Sequence, residues 1–132
     1  MAMQGIDEDP TPNGTLTLQT LSMPANTNPY GDIFGGWLMS QMDLGGAILA
    51  QEIAQGRVTT VAVGSMVFLC PVPVGARVSV YAAQLEVGRT SIRTMIEVWI
   101  KDPRNKSLTK VTEGEFVYVA IDDNGRTRPV TQ

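Results

Sequence analysis

The chain has 132 residues, a formal net charge of −3, and 43% hydrophobic against 17% charged residues, which predicts one globular domain and argues against a basic nucleic-acid-binding surface. It contains one cysteine, Cys70, and no histidine. That removes an internal disulfide, Ser-His-Asp and Cys-His nucleophiles, His general bases and most zinc sites, so acid–base work falls to Asp, Glu, Lys, Tyr or water.

In chain order, the acidic start MAMQGIDEDPTPNG lacks the basic flank and apolar core of a signal peptide, and no apolar run approaches the roughly 20 residues of a membrane span. The expectation is a cytoplasmic protein with no membrane insertion. Residues 1–13 read as a flexible tail, 14–122 as the domain and 123–132 as a second tail. Thr15 to Leu21 alternates, with Leu16 and Leu18 on one face, and predicts a first strand. Asn26 to Gly31 has turn chemistry, and Asp32 is placed to N-cap a helix. That helix is predicted from Gly35 to Gln55, stopped by Gly56.

At 100° per residue, Leu38, Met42, Leu49 and Ile53 gather on one flank of the helix and Trp37, Leu44 and Ile48 on the other. Apolar residues on both flanks predict that the helix is enveloped. Asp43 lies between them, on a face of mostly small residues: Gly36, Met39, Ser40, Gly46, Ala47 and Ala50. A carboxylate there is costly unless it finds a partner or has a chemical role. A face with little bulk admits another backbone or a ligand.

Beyond Gly56 the pattern switches to period two. Strands are predicted over Val58–Leu69, Val78–Leu85, Ser91–Lys101 and Leu108–Ile121, the last with Val111, Val117, Val119 and Ile121 on one face. Pro71 to Gly75 and Asp102 to Lys106 read as turns or loops. The order β-α-β-β-β-β is that of an α+β fold. Apolar residues on both strand faces exceed what one helix can cover, which predicts at least a homodimer.

Three stretches, NPYGDIFGGWLMSQMDLGGAILA, GSMVFLCPVPVG and GRTSIRTMIEVW, resemble the acyl-CoA thioesterases of the hotdog fold, most closely the bacterial YciA-type hydrolases. The resemblance runs from Leu16 to Val119. It implies a long central helix wrapped by a curled antiparallel sheet, dimers that join two sheets edge to edge, and commonly a trimer of such dimers, a hexamer. It also implies that acyl-CoA binds at the subunit interface, with coenzyme A as part of substrate and product and no resident cofactor or metal.

By position, Asp43 matches the family's helix carboxylate, acting as base or nucleophile. Asn28 matches a loop Asn that holds the thioester or water. Gly35 and Gly36 match a glycine pair whose amides face the thioester carbonyl, and Arg89, Thr90 and Ser91 match a strand-turn segment near the CoA. Arg57 and Lys110 are further candidates for a CoA contact, against the usual fate of lone cations as solvated charge. Met39, on the Asp43 face, is a candidate for lining the acyl chain as well as for packing. Two positions depart: Cys70 stands where relatives often carry Arg or Lys, and Phe34 where many other hotdog thioesterases carry His.

Thioester hydrolysis needs an activated water or direct attack, which falls to Asp43. It needs a polariser for the carbonyl, which falls to the unpaired amides of Gly35, Gly36 and Trp37 at the positive end of the helix. The thiolate leaves readily, so no strong acid is required. The competing readings are a structural Asp43 paired with Arg or Lys across an interface, a non-catalytic hotdog module that senses acyl-CoA, and a hotdog hydratase or dehydratase. The last generally relies on His, which this chain lacks.

Overall fold

Five period-two segments become one antiparallel sheet, and the 3.6-residue pattern becomes the helix that covers one of its faces. The computed structural model describes residues 11–104 and 107–131; the expectations for residues 1–10, 105, 106 and 132 lie outside the described residues. The elements in order are β1 (Thr15–Leu21), α1 (Gly35–Ala54), β2 (Val58–Val63), β3 (Arg77–Val87), β4 (Ser91–Lys101) and β5 (Leu108–Ala120). The sheet order is β1-β3-β4-β5-β2, every pair antiparallel, and α1 packs against all five strands. This is the helix-in-sheet arrangement expected of the hotdog fold.

β4 shows why the sheet faces the helix as it does. Ile92, Thr94, Ile96, Val98 and Ile100 are all buried, and their period of two puts them on one face. Each buried aliphatic side chain stabilises the fold by about 1.5–3 kcal/mol. Thr94 is tolerated among them because its hydroxyl donates to the Phe116 carbonyl at 2.9 Å, which satisfies a buried polar group. They meet Leu38, Met42, Ala50 and Ala54 of the helix in one core. The opposite face of β4 buries Trp99 and Glu97. There the Trp99 indole donates to Glu97 Oε1 at 2.8 Å, and the Asn13 amides donate to the same carboxylate at 3.3 Å.

Glycines in α1 are there for the sheet. A Cβ at Gly45 would lie 2.5 Å from Val80 Cγ1, and one at Gly46 would lie 2.3 Å from the Tyr118 hydroxyl and 2.8 Å from Ile96 Cδ1. The small face expected to admit a ligand is therefore filled, at Gly46, by the chain's own strands.

Several local expectations are corrected. Asp32 is not the N-cap. Its backbone is held in a bridge with Pro73 and by a bond from its N–H to Asn28 Oδ1, and the cap of the helix, which begins at Gly35 as predicted, is Phe34. At the other end the left-handed residue is Gln55 (φ 51°), and Gly56 serves a different purpose: a Cβ there would lie 2.6 Å from Arg128 Nη2. Arg128 uses that space to donate to the Ala54 carbonyl at 2.8 Å, satisfying an orphan acceptor at the helix end.

β2 is shorter than predicted. After Val63, among the described residues, the chain is joined to β5 by the backbone bonds Gly64 N–H to the Glu115 carbonyl and Leu69 N–H to the Val111 carbonyl. In β5, Val111 is an extra residue between the pairs Val98–Thr112 and Trp99–Lys110, and such a bulge inverts the alternation. Val111 therefore joins the helix-side core together with Phe116, Tyr118 and Ala120, and not with Val117 and Val119. A similar shift between Leu16 and Leu18 in β1 leaves Leu16 exposed while Leu18 packs on the core.

The stretch after Asp122, read as a loose tail, is docked. Thr127 bridges Ile121, and Val130 is buried with its N–H on the Arg89 carbonyl. Finally, the helix is not enveloped within one chain, since Leu44 is 54% and Ile48 38% exposed.

Candidate active site

Asp43 sits midway along α1, half-buried. β2 and β5 pair so that Thr60 lies directly opposite Tyr118, and both hydroxyls reach the helix. Thr60 Oγ1 donates to Asp43 Oδ1 at 2.6 Å. The Tyr118 hydroxyl donates to the Asp43 main-chain oxygen at 3.0 Å and to Oδ1 at 3.2 Å. Burial first, and then the Asp43 charge, push the Tyr118 phenol well above its ordinary range, so it is a donor and not an anion. Among the described residues no Lys or Arg forms an ion pair with Asp43.

A second group of candidates surrounds the start of α1. Asn28 and Gly35 line a cleft of about 380 Å³ together with Asp32, Leu38, Phe68 and Cys70. Asn28 Oδ1 accepts from the Tyr30 and Asp32 amides at 2.9 and 3.1 Å, an Asx-turn that fixes the side chain. Its Nδ2 has no partner among the described residues and can donate outward. Among these residues, too, no side chain caps α1, and no loop carbonyl accepts from the amides of Gly35, Gly36 or Trp37. A Cβ at Gly36 would meet nothing within 4 Å, whereas one at Gly35 would lie 3.3 Å from the Phe68 ring. The helix start, where Gly35 lines this cleft, thus carries donors without a partner among the described residues and a local positive field.

These two groups do not converge within one chain. Asp43 does not line the cleft; it is eight residues beyond Gly35, an axial distance of about 12 Å at 1.5 Å per residue. Met39, between them, is partly exposed on the same flank as Asp43.

The basic candidates are also divided. Arg57 follows the C-terminus of α1, about 30 Å from Gly35 by the length of the helix, and its guanidinium donates to the carbonyls of Asp122 and Asp123. Arg89, Thr90 and Ser91 form the β3–β4 turn at that same end, bonded through backbone carbonyls to Val130 and Ala120. Arg89 is exposed and its side chain is unpaired among the described residues. Lys110 is near the opposite end, beside Cys70, and its charge is committed to Glu113 and Glu97. Cys70 is half-buried and burial raises its thiol pKa, which makes it a poor nucleophile.

Sequence reasoning missed Thr60 and Tyr118. Neither is near Asp43 in the chain, and only the β2–β5 register brings them to it. Among the described residues no group of three or more His, Cys, Asp or Glu is arranged to hold a metal ion.

Comparison with known proteins places this geometry in a family. The model of the thioesterase superfamily matches residues 30–107. The acyl-CoA thioester hydrolase YciA of Salmonella typhimurium is 57% identical over 125 residues, which span 92% of this chain and 94% of that protein. The hexameric thioesterase y2039 from Yersinia pestis has a TM-score of 0.88 at 56% identity, covering 92% of this chain and 99% of that one. HI0827, a hexameric broad-specificity acyl-coenzyme A thioesterase, has a TM-score of 0.88 at 52% identity, covering 93% and 85%. A carboxylate without His, an uncapped helix start and this degree of likeness along nearly the whole chain lead to one assignment: the chain belongs to the thioesterase superfamily and, within it, to the YciA-type acyl-CoA thioester hydrolases.

Proposed function

We propose that this chain hydrolyses short- to medium-chain acyl-CoA thioesters, or a broad range of them, to free acid and coenzyme A, with Asp43 as the reacting carboxylate. The observation that carries the reading is the state of that side chain. It is half-buried and, among the described residues, has no cation partner, one oxygen held by two hydroxyls and the other without a partner. Acting as base, it takes a proton from water as the water oxygen bonds the thioester carbon; the C–S bond then breaks and the CoA thiolate recovers a proton. Acting as nucleophile, it bonds the acyl carbon itself, the thiolate leaves, and water cleaves the mixed anhydride. Either route ends in one carboxylic acid and one thiol.

The Asn28 Nδ2 and the amides of Gly35 and Gly36 are proposed to bind the thioester carbonyl. Reacting groups must come within about 3.5 Å of each other, so the 12 Å along α1 supports a site shared by two subunits, Asp43 from one and Asn28 with the glycine pair from the other. The surface of one chain agrees with such a partner. β2 is a sheet edge with Val61 and Val63 exposed, and Leu44 and Ile48 are uncovered on the helix. We propose a dimer formed there and, as in the hexameric relatives, a trimer of dimers. Residues 14–122 are proposed as the catalytic unit, with Arg89, Thr90 and Ser91 near the CoA and Met39 near the acyl chain. Arg57 and Lys110 take no part in this reading, because both are already bonded. No helix among the described residues is long and apolar enough to cross a membrane, in keeping with the proposed cytoplasmic location.

Free-thiol release from a panel of acyl-CoA chain lengths tests the proposal. Asp43→Ala is expected to lower the rate by about 10²–10⁴. If that variant keeps the parent rate, the assignment of Asp43 is wrong. If the unmodified protein binds CoA but releases no thiol from any chain length, an acyl-CoA sensor replaces the enzyme.

A further inference from the structure

We infer that Tyr118 is a positioning residue for Asp43, selecting which carboxylate oxygen is presented to the substrate. The inference rests on the reading of Asp43 as the reacting carboxylate. The Tyr118 ring is fully buried in the core, at 0% exposure, but its hydroxyl emerges against the helix. It has a single proton and two acceptors on one residue, the Asp43 main-chain oxygen at 3.0 Å and Oδ1 at 3.2 Å. A proton shared in this way couples the carboxylate torsion to the helix backbone. Thr60 donates to the same Oδ1 at 2.6 Å.

Both donors therefore arrive at one oxygen, and Oδ2 accepts nothing from a described residue. Oδ2 is the oxygen with lone pairs free for water or for the acyl carbon. The raised phenol pKa keeps the proton on Tyr118, so its role does not change near neutral pH. Gly46 is what lets the hydroxyl in, because a Cβ there would stand 2.3 Å from it. A buried Tyr could satisfy its hydroxyl on any nearby carbonyl. Here it is spent on the one carboxylate of α1 that lies between the helix termini and faces the sheet.

Tyr118→Phe removes the hydroxyl and leaves the ring. In the thiol-release assay kcat is expected to fall by about ten- to a hundredfold, the scale of one hydrogen bond to a charged group. KM should stay within about twofold, because a misaimed carboxylate weakens the transition state and not ground-state binding. In the Asp43→Ala background the same change should alter the residual rate by less than about twofold. Gly46→Ala, which crowds the hydroxyl from the helix side and leaves Tyr118 in place, should also lower kcat more than it changes KM, and it gives an independent reading if Tyr118→Phe is unstable. A folded Tyr118→Phe with unchanged kcat overturns the positioning role, as does an equal loss in both backgrounds. If Asp43→Ala alone keeps the parent rate, it is the underlying reading of Asp43 that fails, and this is seen separately.

Discussion

Two variants, each inactive alone, should restore activity when assembled together. The pair is Asp43→Ala and Asn28→Ala. Asp43 lies eight residues along α1 from Gly35, whose cleft contains Asn28, and this axial distance of about 12 Å is several times the reach of a reacting group. In a two-fold dimer each site would take Asp43 from one subunit and Asn28 from its partner. A dimer with one copy of each variant then has one site with both residues intact and one site with neither. Random co-assembly makes about half of the dimers mixed, and half of the sites in those are intact, so about a quarter of the wild-type activity returns. The assay is thiol release from the co-expressed, co-purified mixture, compared with each variant purified alone. Activity no higher than the average of the two separate variants would refute the shared site and force the carboxylate and the asparagine to act within one chain.

Gly46→Ala should destabilise the protein by about 1–3 kcal/mol through overpacking against Tyr118 and Ile96, even though alanine at an exposed helical position gains about 1 kcal/mol over glycine; a higher midpoint in thermal denaturation would contradict the close approach of helix and sheet. Arg93 holds the Glu115 carboxyl below its ordinary range through their side-chain hydrogen bonds. A lowered carboxyl contributes stability that is present above its unfolded pKa and is lost as pH falls through the folded one. Arg93→Ala should accordingly flatten the acid side of the stability–pH curve and lower stability above the carboxylate range by an amount that does not change with pH; an unchanged acid limb would show that the exposed pair contributes nothing.

Much of this molecule is written locally. The period-two runs of β1, β3, β4 and β5 and the apolar spacing of α1 place the elements, because side-chain direction follows backbone period. The absence of histidine and the awkward acid at Asp43 are both plain in the residue order, and together they point to a carboxylate as the reacting group. Asn28 and Gly35 are in the same cleft because they bracket one turn and one helix start, which is also a local matter.

What the linear pattern could not convey is whatever depends on register between distant strands. The bulge at Val111 turns Tyr118 toward the helix, where strict alternation from Val111 would have turned it away, and a one-residue slip moves every side chain after it to the other face. Only that pairing sets Tyr118 opposite Thr60 and delivers both hydroxyls to Asp43, across sequence separations of 75 and 17 residues. The glycines at 45 and 46, legible only as small, became the clearance for Val80 and Tyr118. The helix rise did the rest: it separates Asp43 from the cleft at the start of α1 by a length that no side chain spans. Residue identity thus singles out the carboxylate proposed to react, while tertiary geometry engages one of its oxygens with two hydroxyls and sets it apart from the cleft at the helix start.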